Sequence, residues 1–429
     1  MSDIVTFPTA DKKYKVIEDD TLNSISLKAY GTTDYISNIV AVNPKLSTRR
    51  KNSDGLPELI TTEILFIPAI PDRRTVNDIR NERPLTNKDK NDFTLIVDDR
   101  EIPLFSAKLM LTMDTAADGF TGSLAWNPGL DKELDKRLLP FRYPKAQIFL
   151  GNELQLTGYL YGINPVLDNS GRVKNLTGAS FTAEMIDSNI RPPYELNNVN
   201  LKQIANNRLK QIGIKAIFET SPGGAFDRVT CNPWDKIFDH LTDLAAQRGI
   251  LISSTKEGNA FFLKAGTGKN MGTLEEGQPP ALSWQADYNG RRRFHTYKAL
   301  GQSPGADAQT AVAVDENIPK SRLFVFNAND TTPGDIQKAA DWKRSKMLAD
   351  ILTMAIPVSS WYAPNGQLWK PNNFITVISE TLDLPAPGVT LLIRSVEFIF
   401  EISGTQAVIN VVPEEVYTGK KIIDPWRLR

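Results

Sequence analysis

The sequence predicts a β-rich α+β protein of several domains, on three observations. The chain has 429 residues, too long for one compact core and enough for about three domains. Runs with strand-like patterning dominate from Phe93 and return after a helix begun by Thr332-Pro333, whereas two further helical stretches lie between 200 and 249. The 27 Gly, 27 Pro, 19 Phe and 7 Trp also lean toward strands and turns.

In chain order, Tyr14-Lys15-Val16-Ile17 is a strand, and Asp20-Thr21-Leu22 starts a helix with Asp20 as its cap. Ile25, Leu27, Ala29 and Tyr30 lead to Gly31; a second short helix, Ile36 to Val42, is closed by Asn43-Pro44; Ile64-Leu65-Phe66-Ile67-Pro68 is a last strand. Residues 1–72 thus form a small β-α-α-β module. Residues 73–92 are charged and apolar-poor and read as a linker, because they cannot bury enough apolar area to offset their own ordering. Strands dominate 93–192: Phe93 to Val97, a turn at Asp98-Asp99, then Ala146 to Leu150, a turn at Gly151-Asn152, and Leu154 to Tyr159.

The span 193–300 reads as an α+β domain. Asn200 caps a helix whose Leu201, Ile204, Ala205, Leu209 and Ile212 share a face, with Gly213 just past its end. A second helix is expected over 232–249, capped by Asn232, with Pro233 at its first position and Trp234, Ile237, Phe238, Leu241, Leu244 and Ala245 at helical spacing. A hairpin follows around Lys256-Glu257-Gly258-Asn259. Residues 301–429 hold a third helix, begun by Thr332-Pro333 and striped by Ile336, Ala339, Ala340, Met347 and Ile351, and then strands through Val411. A weak echo links Tyr143-Pro144 and the strand at Ile148 with Lys370-Pro371 and the strand at Ile375.

Chemistry is scarce. Fifty basic and fifty acidic residues cancel, which argues against a chain that lives by coating nucleic acid or a membrane. The single Cys231 removes disulfide frameworks and cysteine zinc sites. His240 lies beside Asp239 and Asp243, and His295 follows Arg291-Arg292-Arg293-Phe294; surface or packing roles are the expectation for both. Gly266-Thr267-Gly268-Lys269 is not a phosphate loop, because Leu263 stands where the first glycine is needed and Asn270 where Mg²⁺ requires a hydroxyl. The basic triplet reads as a solvated strand end or a contact for acidic partners. No catalytic residue, metal ligand or cofactor is assigned. The opening residues show no secretory signal, so cytoplasmic synthesis is expected.

Residues 1–72 resemble the LysM module, whose pattern is Tyr-x-Val, Gly-Asp-Thr-Leu, Tyr-Gly, Ala-Asn-Pro and a closing Ile-Pro strand. Asp19 replaces the family glycine, Val42 stands where alanine is commoner, and residues 45–62 make the second loop long. The resemblance implies ligand or partner loops at Asp19, Asp20, Thr21 and Leu22 and at Asn43 and Pro44, continuing to Arg49 and Arg50. A LysM fold used for docking to protein is favoured over a sugar site.

Residues 93 to about 420 resemble the baseplate hub of contractile phage tails, the phage Mu type related to late-control tail proteins. The landmarks, in order, are Leu156-Thr157-Gly158-Tyr159, Leu176-Thr177-Gly178, Glu184 to Ser188, Leu241 to Gly249, Tyr297, Gly301-Gln302, Trp342, Trp361, Gly366 to Asn372, Gly404-Thr405 and Val411-Val412-Pro413. The resemblance implies a non-enzymatic virion protein with two β-barrel-like tube domains (93–192 and 301–429) around the α+β domain, assembled as a homotrimer with pseudo-sixfold barrels. It further implies tail tube proteins, a trimeric spike and baseplate wedge subunits as partners, with DNA passing only transiently through a neutral to acidic lumen. The end at Pro425 to Arg429, without strand repeats, is read as leaving the spike to a separate subunit. Two other readings remain: a tail protein that binds peptidoglycan through its LysM module, and a peptidoglycan-cleaving enzyme, for which no carboxylate pair can be named.

Overall fold

A computed structural model of the chain describes residues 12–18, 20–30, 36, 39, 40, 43–46, 48–52, 56–67, 90–168, 171–301, 310–328 and 335–417. Most of the expected linker, together with Asp19, Thr332-Pro333 and the last twelve residues, lies outside these. The chain divides into two units, Met1–Arg83 and Pro84–Arg429.

In the first unit, β1 (Lys12–Lys15) pairs antiparallel with β2 (Ile64–Ile67), whose alternation turns Leu65 and Ile67 inward. They join Val16, Leu22, Ile25, Ile39 and Leu46 in a small core. Ile36, Ile39 and Val40 are helical, as expected for the second short helix. Helix α1 (Leu22–Tyr30) corrects the expected cap. Thr21 Oγ1 accepts from Ser24 N at 3.1 Å while Ser24 Oγ accepts from Thr21 N at 3.0 Å, a reciprocal box that leaves Asp20 outside the helix.

The second unit begins with β3 (Phe93–Val97), β4 (Arg100–Ile102), β5 (Ser106–Thr112), β6 (Gly119–Ala125), helix α2 (Lys132–Arg137), β7 (Lys145–Leu150), β8 (Glu153–Asp168) and β9 (Gly171–Ser180). Their sheet order is β5-β6-β9-β8-β7-β3-β4. Asp98 and Asp99, at φ +43° and +65°, form the tight β3–β4 turn, a conformation that short polar side chains tolerate.

Next come α3 (Ala183–Asp187), β10 (Glu195–Val199), α4 (Leu201–Lys210), β11 (Ala216–Phe218), β12 (Phe226–Thr230), α5 (Ile237–Ala246), β13 (Leu251–Ser254) and β14 (Ala260–Leu263). Two small sheets, β10-β12 and β11-β14-β13, enclose a core with α4 and α5. Asn200 and Gln203 form a capping box for α4, and Gly213 beyond it has φ +74°. Helix α5 starts at Ile237, not at Pro233. Asp235 accepts from Asn232 N at 2.7 Å and closes a turn there, which leaves Trp234 71% exposed rather than on an apolar face. The block is fixed to the first strands by Ser253 Oγ, which donates to Thr112 O at 2.6 Å.

The remaining elements are β15 (Asn270–Glu275), β16 (Gln285–Tyr288), β17 (Thr296–Gly301), β18 (Thr310–Val314), β19 (Leu323–Ala328), α6 (Asp335–Ile351), β20 (Leu352–Val358), β21 (Phe374–Ile378), β22 (Val389–Glu401) and β23 (Gly404–Val412). Strands β17 to β19 form a separate sheet that packs on α6. The others run in the order β16-β20-β23-β22-β21-β15. The expected boundary at 300 therefore does not coincide with a sheet boundary, because β15 and β16 pair with β21 and β20. The two strand-rich halves are also continuous. β22 pairs with β5 from Ser395↔Thr112 to Glu401↔Ser106, making one 13-stranded sheet among the described residues over a shared core. Phe93 contacts Trp361 and Phe400 across the halves at ring-centroid distances of 6.4 and 6.2 Å.

Candidate assembly site

The two halves repeat one topology. Strands β5, β6, β9, β8, β7 and β3 of the first match β16, β20, β23, β22, β21 and β15 of the second, in the same sheet order and the same chain order. Every neighbouring pair is antiparallel except β15–β21, which is parallel where β3–β7 is antiparallel. Details agree as well. The long strand of each half has a register shift, at Leu160/Gly162 in β8 and at Ile393/Ser395 in β22, and each following strand opens with a positive-φ glycine, Gly171 at +139° and Gly404 at +147°. The Pro144/Pro371 echo is thus the sequence trace of a structural repeat: each proline precedes the strand, β7 or β21, that enters the long hairpin.

Asp114, just past the end of β5, organises the joint between the halves. Its carboxylate accepts from Lys346 Nζ on α6 at 2.5 Å, from Arg394 Nε in the β22 bulge at 3.1 Å and from Tyr417 Oη at 2.8 Å. The side chain is 3% exposed. Burial alone would raise its pKa, but Lys346 and Arg394 hold the carboxyl below the ordinary carboxylate range.

Asp118 is the opposite case. It accepts from Thr112 N at 2.9 Å, no cation among the described residues forms an ion pair with it, and burial pushes it up to about 7. It lines a cavity of about 400 Å³ with Gln155, Ser253, Lys256, Lys370 and Asn372. Because this folded-state pKa is above the unfolded value, stability falls as pH rises from about 4 through 7. Asp118→Asn, which keeps an acceptor for Thr112 N, is expected to raise the melting temperature at pH 8 and leave it unchanged at pH 4, by on the order of 1–3 kcal/mol at pH 8. Paired thermal melts at the two pH values check this.

Neither histidine has the surroundings of a general base. His240 is half-buried on α5, and desolvation, aided by the charge of Arg208, lowers it to about 4. His295 Nδ1 lies 2.9 Å from the neighbouring Thr296 hydroxyl. Among the described residues no group of three His, Cys, Asp or Glu could hold a metal ion. The Gly266 to Lys269 loop serves packing: Gly266 N and Lys269 N donate to the side-chain oxygens of Asn372 and Asn373, at 2.8 and 2.9 Å. Of the basic triplet, Arg293 pairs with Asp315 at 2.7 Å, while Arg291 and Arg292 are exposed.

The residues expected to form ligand or partner loops in the first unit turn mostly inward. Asp20, with its side chain 3% exposed, accepts from Tyr14 Oη, Ile17 N and Lys28 Nζ at 2.8, 3.0 and 2.7 Å. Burial opposes this charge, but the bonds from Lys28, Ile17 and Tyr14 hold its carboxyl at about 2. Thr21 caps α1 and Leu22 is core. Asn43 brackets Phe66 of β2, donating to its carbonyl at 2.7 Å and accepting from its N–H at 2.9 Å. Pro44 opens a short 3-10 turn. Arg49 forms a fork with Glu63 at 2.5 and 2.7 Å, and Arg50 is exposed. The groups missed by the sequence reading are the β22–β5 joint and Asp114; the proline echo was the available signal for the first, and nothing local marked the second.

Two family models match the chain: one described as baseplate hub protein gp44-like, second domain, over residues 182–264, and one as Mu phage baseplate assembly protein GpP, fourth domain, over residues 332–419. The baseplate hub protein gp44 of Escherichia phage Mu is 23% identical over 299 residues, covering 63% of this chain and 75% of that protein. Among solved structures, the fold is similar to the 43 kDa tail protein of prophage MuSo2 from Shewanella oneidensis, with a TM-score of 0.65 and 23% identity over 76% of this chain and 99% of the other. It is also similar to a tail protein from Neisseria meningitidis MC58, with a TM-score of 0.63 and 15% identity over 77% and 98%. The chain is thus similar in sequence to phage Mu baseplate hub and assembly proteins over these segments, and similar in fold to prophage and bacterial tail proteins.

Proposed function

We propose that this chain is the structural hub of a contractile tail baseplate, a homotrimer whose paired halves form a ring between the tail tube and a separate trimeric spike. The repeat carries the reading: two alike six-strand arrays per chain give three chains six alike segments, sixfold toward a tube and threefold toward a spike. Closing the ring also pairs sheet edges that a lone chain leaves exposed. In this reading residues 93–192 and the strands of 270–412 supply the tube segments, the block between them supports spike contacts, and residues 1–72 dock baseplate wedge subunits through a LysM-like fold. Docking suits that unit better than glycan capture, since Asp20, Asn43 and Arg49 are held by partners within it. A balanced total charge fits a conduit that DNA crosses without being retained. The protein acts in the virion after synthesis in the host cytoplasm.

Sedimentation of the purified full chain, with averaged electron-microscopic views, tests the ring. The expected result is a trimer that shows six similar lobes around a central opening. A chain that stays monomeric at micromolar concentration, or closes as a dimer, overturns the reading.

A further inference from the structure

We infer that the open edge of β8 in one copy pairs antiparallel with the open edge of β16 in the next, repeating between copies the joint that β22 and β5 make within the chain. The inference rests on the ring proposed above and names the contact that closes it. Along one edge, β22 has two partners in succession: β21 over Val389–Leu392 and, past the bulge at Arg394, β5 over Ser395–Glu401. β8 is built alike. β7 covers Glu153–Tyr159, the register shifts at Tyr161, and beyond it residues 162–167 have no strand on that edge among the described residues. The counterpart of β5 is β16, which pairs with β20 on one side and, among the described residues, is the last strand of its sheet on the other.

The repeat fixes the register. Aligning the bulges sets Tyr161 on Arg394, Asp168 on Glu401 and Gly171 on Gly404. Phe120 and Leu124 of β6 align with Met354 and Val358 of β20 through their partners on β9 and β23, which puts Tyr288, Ala286 and Trp284 where Leu111, Leu109 and Ala107 stand. Copying the inner joint then sets Ile163 opposite Tyr288, Pro165 opposite Ala286 and Leu167 opposite Trp284. The inner equivalents are Val396 with Leu111, Phe398 with Leu109 and Phe400 with Ala107. All three pairs are apolar in both joints, and a slip of one residue would turn them to the other face. In the single chain Leu167 is 70% and Tyr288 42% exposed, so apolar area remains for the neighbour to cover. Pro165 lacks an N–H, so ladder bonds rest on its neighbours. Charge agrees as well: the exposed Arg291 follows β16, and Glu184, which accepts from Tyr161 Oη at 3.1 Å, lies beside the β8 bulge.

Cross-linking of the full chain tests the register. With Cys231→Ser removing the native thiol, Asn164→Cys and Asp287→Cys place one cysteine on each strand, directly opposite and on the outer face. Oxidation is expected to give a ladder of covalent species ending at three chains. Asn164→Cys with Ser283→Cys, four residues out of register, is expected to cross-link at least about tenfold less. A trimer in sedimentation that forms no such ladder overturns this contact and leaves the ring standing; a monomer overturns both. Leu167→Asp provides a second arm: because the residue is exposed in the single chain, melting of the monomer should be unchanged while the trimer dissociates at about tenfold higher concentration, a roughly hundredfold change in its dissociation constant or about 2.7 kcal/mol. An unaffected trimer overturns the proposal.

Discussion

Asp114→Ala is expected to destabilise the second unit by about 3–5 kcal/mol, because it removes the buried carboxylate that Lys346 and Arg394 both face. The cost lies in the cations left in place, not in the bonds alone. Lys346→Met combined with Asp114→Ala should therefore recover part of the loss, as one charge is then no longer held there. The pH dependence has a definite sign. The folded carboxyl lies below its ordinary value near 3.8, so its contribution is present above that value and disappears as pH falls through the folded pKa. Thermal melts at pH 7 should separate the variant from the parent, and melts in strong acid should bring them together. Equal melting temperatures at pH 7 would show that solvent compensates the cations, and the role given to this carboxylate would fall.

The same carboxylate marks where reading the sequence stops. Its partners are 232, 280 and 303 residues away, so no window around Met113-Asp114-Thr115 could have signalled it. Local grammar was legible where local chemistry decides the outcome: the Asn200–Gln203 box, Gly213 and Gly249 at positive φ, and the β7 alternation all lie where spacing put them. It misled where a tertiary contact took over. Pro233 reads as a helix start, but Lys236 Nζ reaches Asp187 O at 2.7 Å and Asn189 Oδ1 at 2.8 Å, which holds the first turn of that segment out of the helix. Asp20 reads as a cap, but the Tyr14 hydroxyl and Lys28 draw it back toward β1 and leave Thr21 to cap α1. The candidate assembly site was half legible. The two proline-led hairpins are a local signal, whereas the edge pairing of β22 with β5 joins segments nearly 300 residues apart and shows only in the folded chain.

Gly158→Ala and Gly178→Ala should each be among the most damaging single-methyl changes in the protein, for a reason that gives the Leu-Thr-Gly landmarks a physical meaning. The two glycines lie on neighbouring strands, with Gly158 opposite Ser180 and Leu160 opposite Gly178. A Cβ on Gly158 would overlap the backbone carbonyl of Ala179, and one on Gly178 would overlap the ring of Phe120 and approach Tyr159 O. A flexible side chain can move aside; a ladder carbonyl in the middle of a sheet cannot do so without breaking its pairing. The substitution at 158 therefore meets the harder obstacle. It is expected to cost about 3 kcal/mol or more, which at the size of the second unit lowers the melting temperature by roughly 4 °C or more. At 178 the Phe120 ring can yield in part, so a smaller loss is expected. Gly129 supplies the contrast: a Cβ there meets nothing within 4 Å, but φ is +81°, so Gly129→Ala should lose only about 1 kcal/mol, from backbone strain. Melting temperatures that rank 158, 178 and 129 in this order would support close strand approach as the reason for these glycines. A Gly158→Ala variant as stable as Gly129→Ala would show that β8 and β9 separate more easily than their geometry implies, which would weaken any joint built on β8.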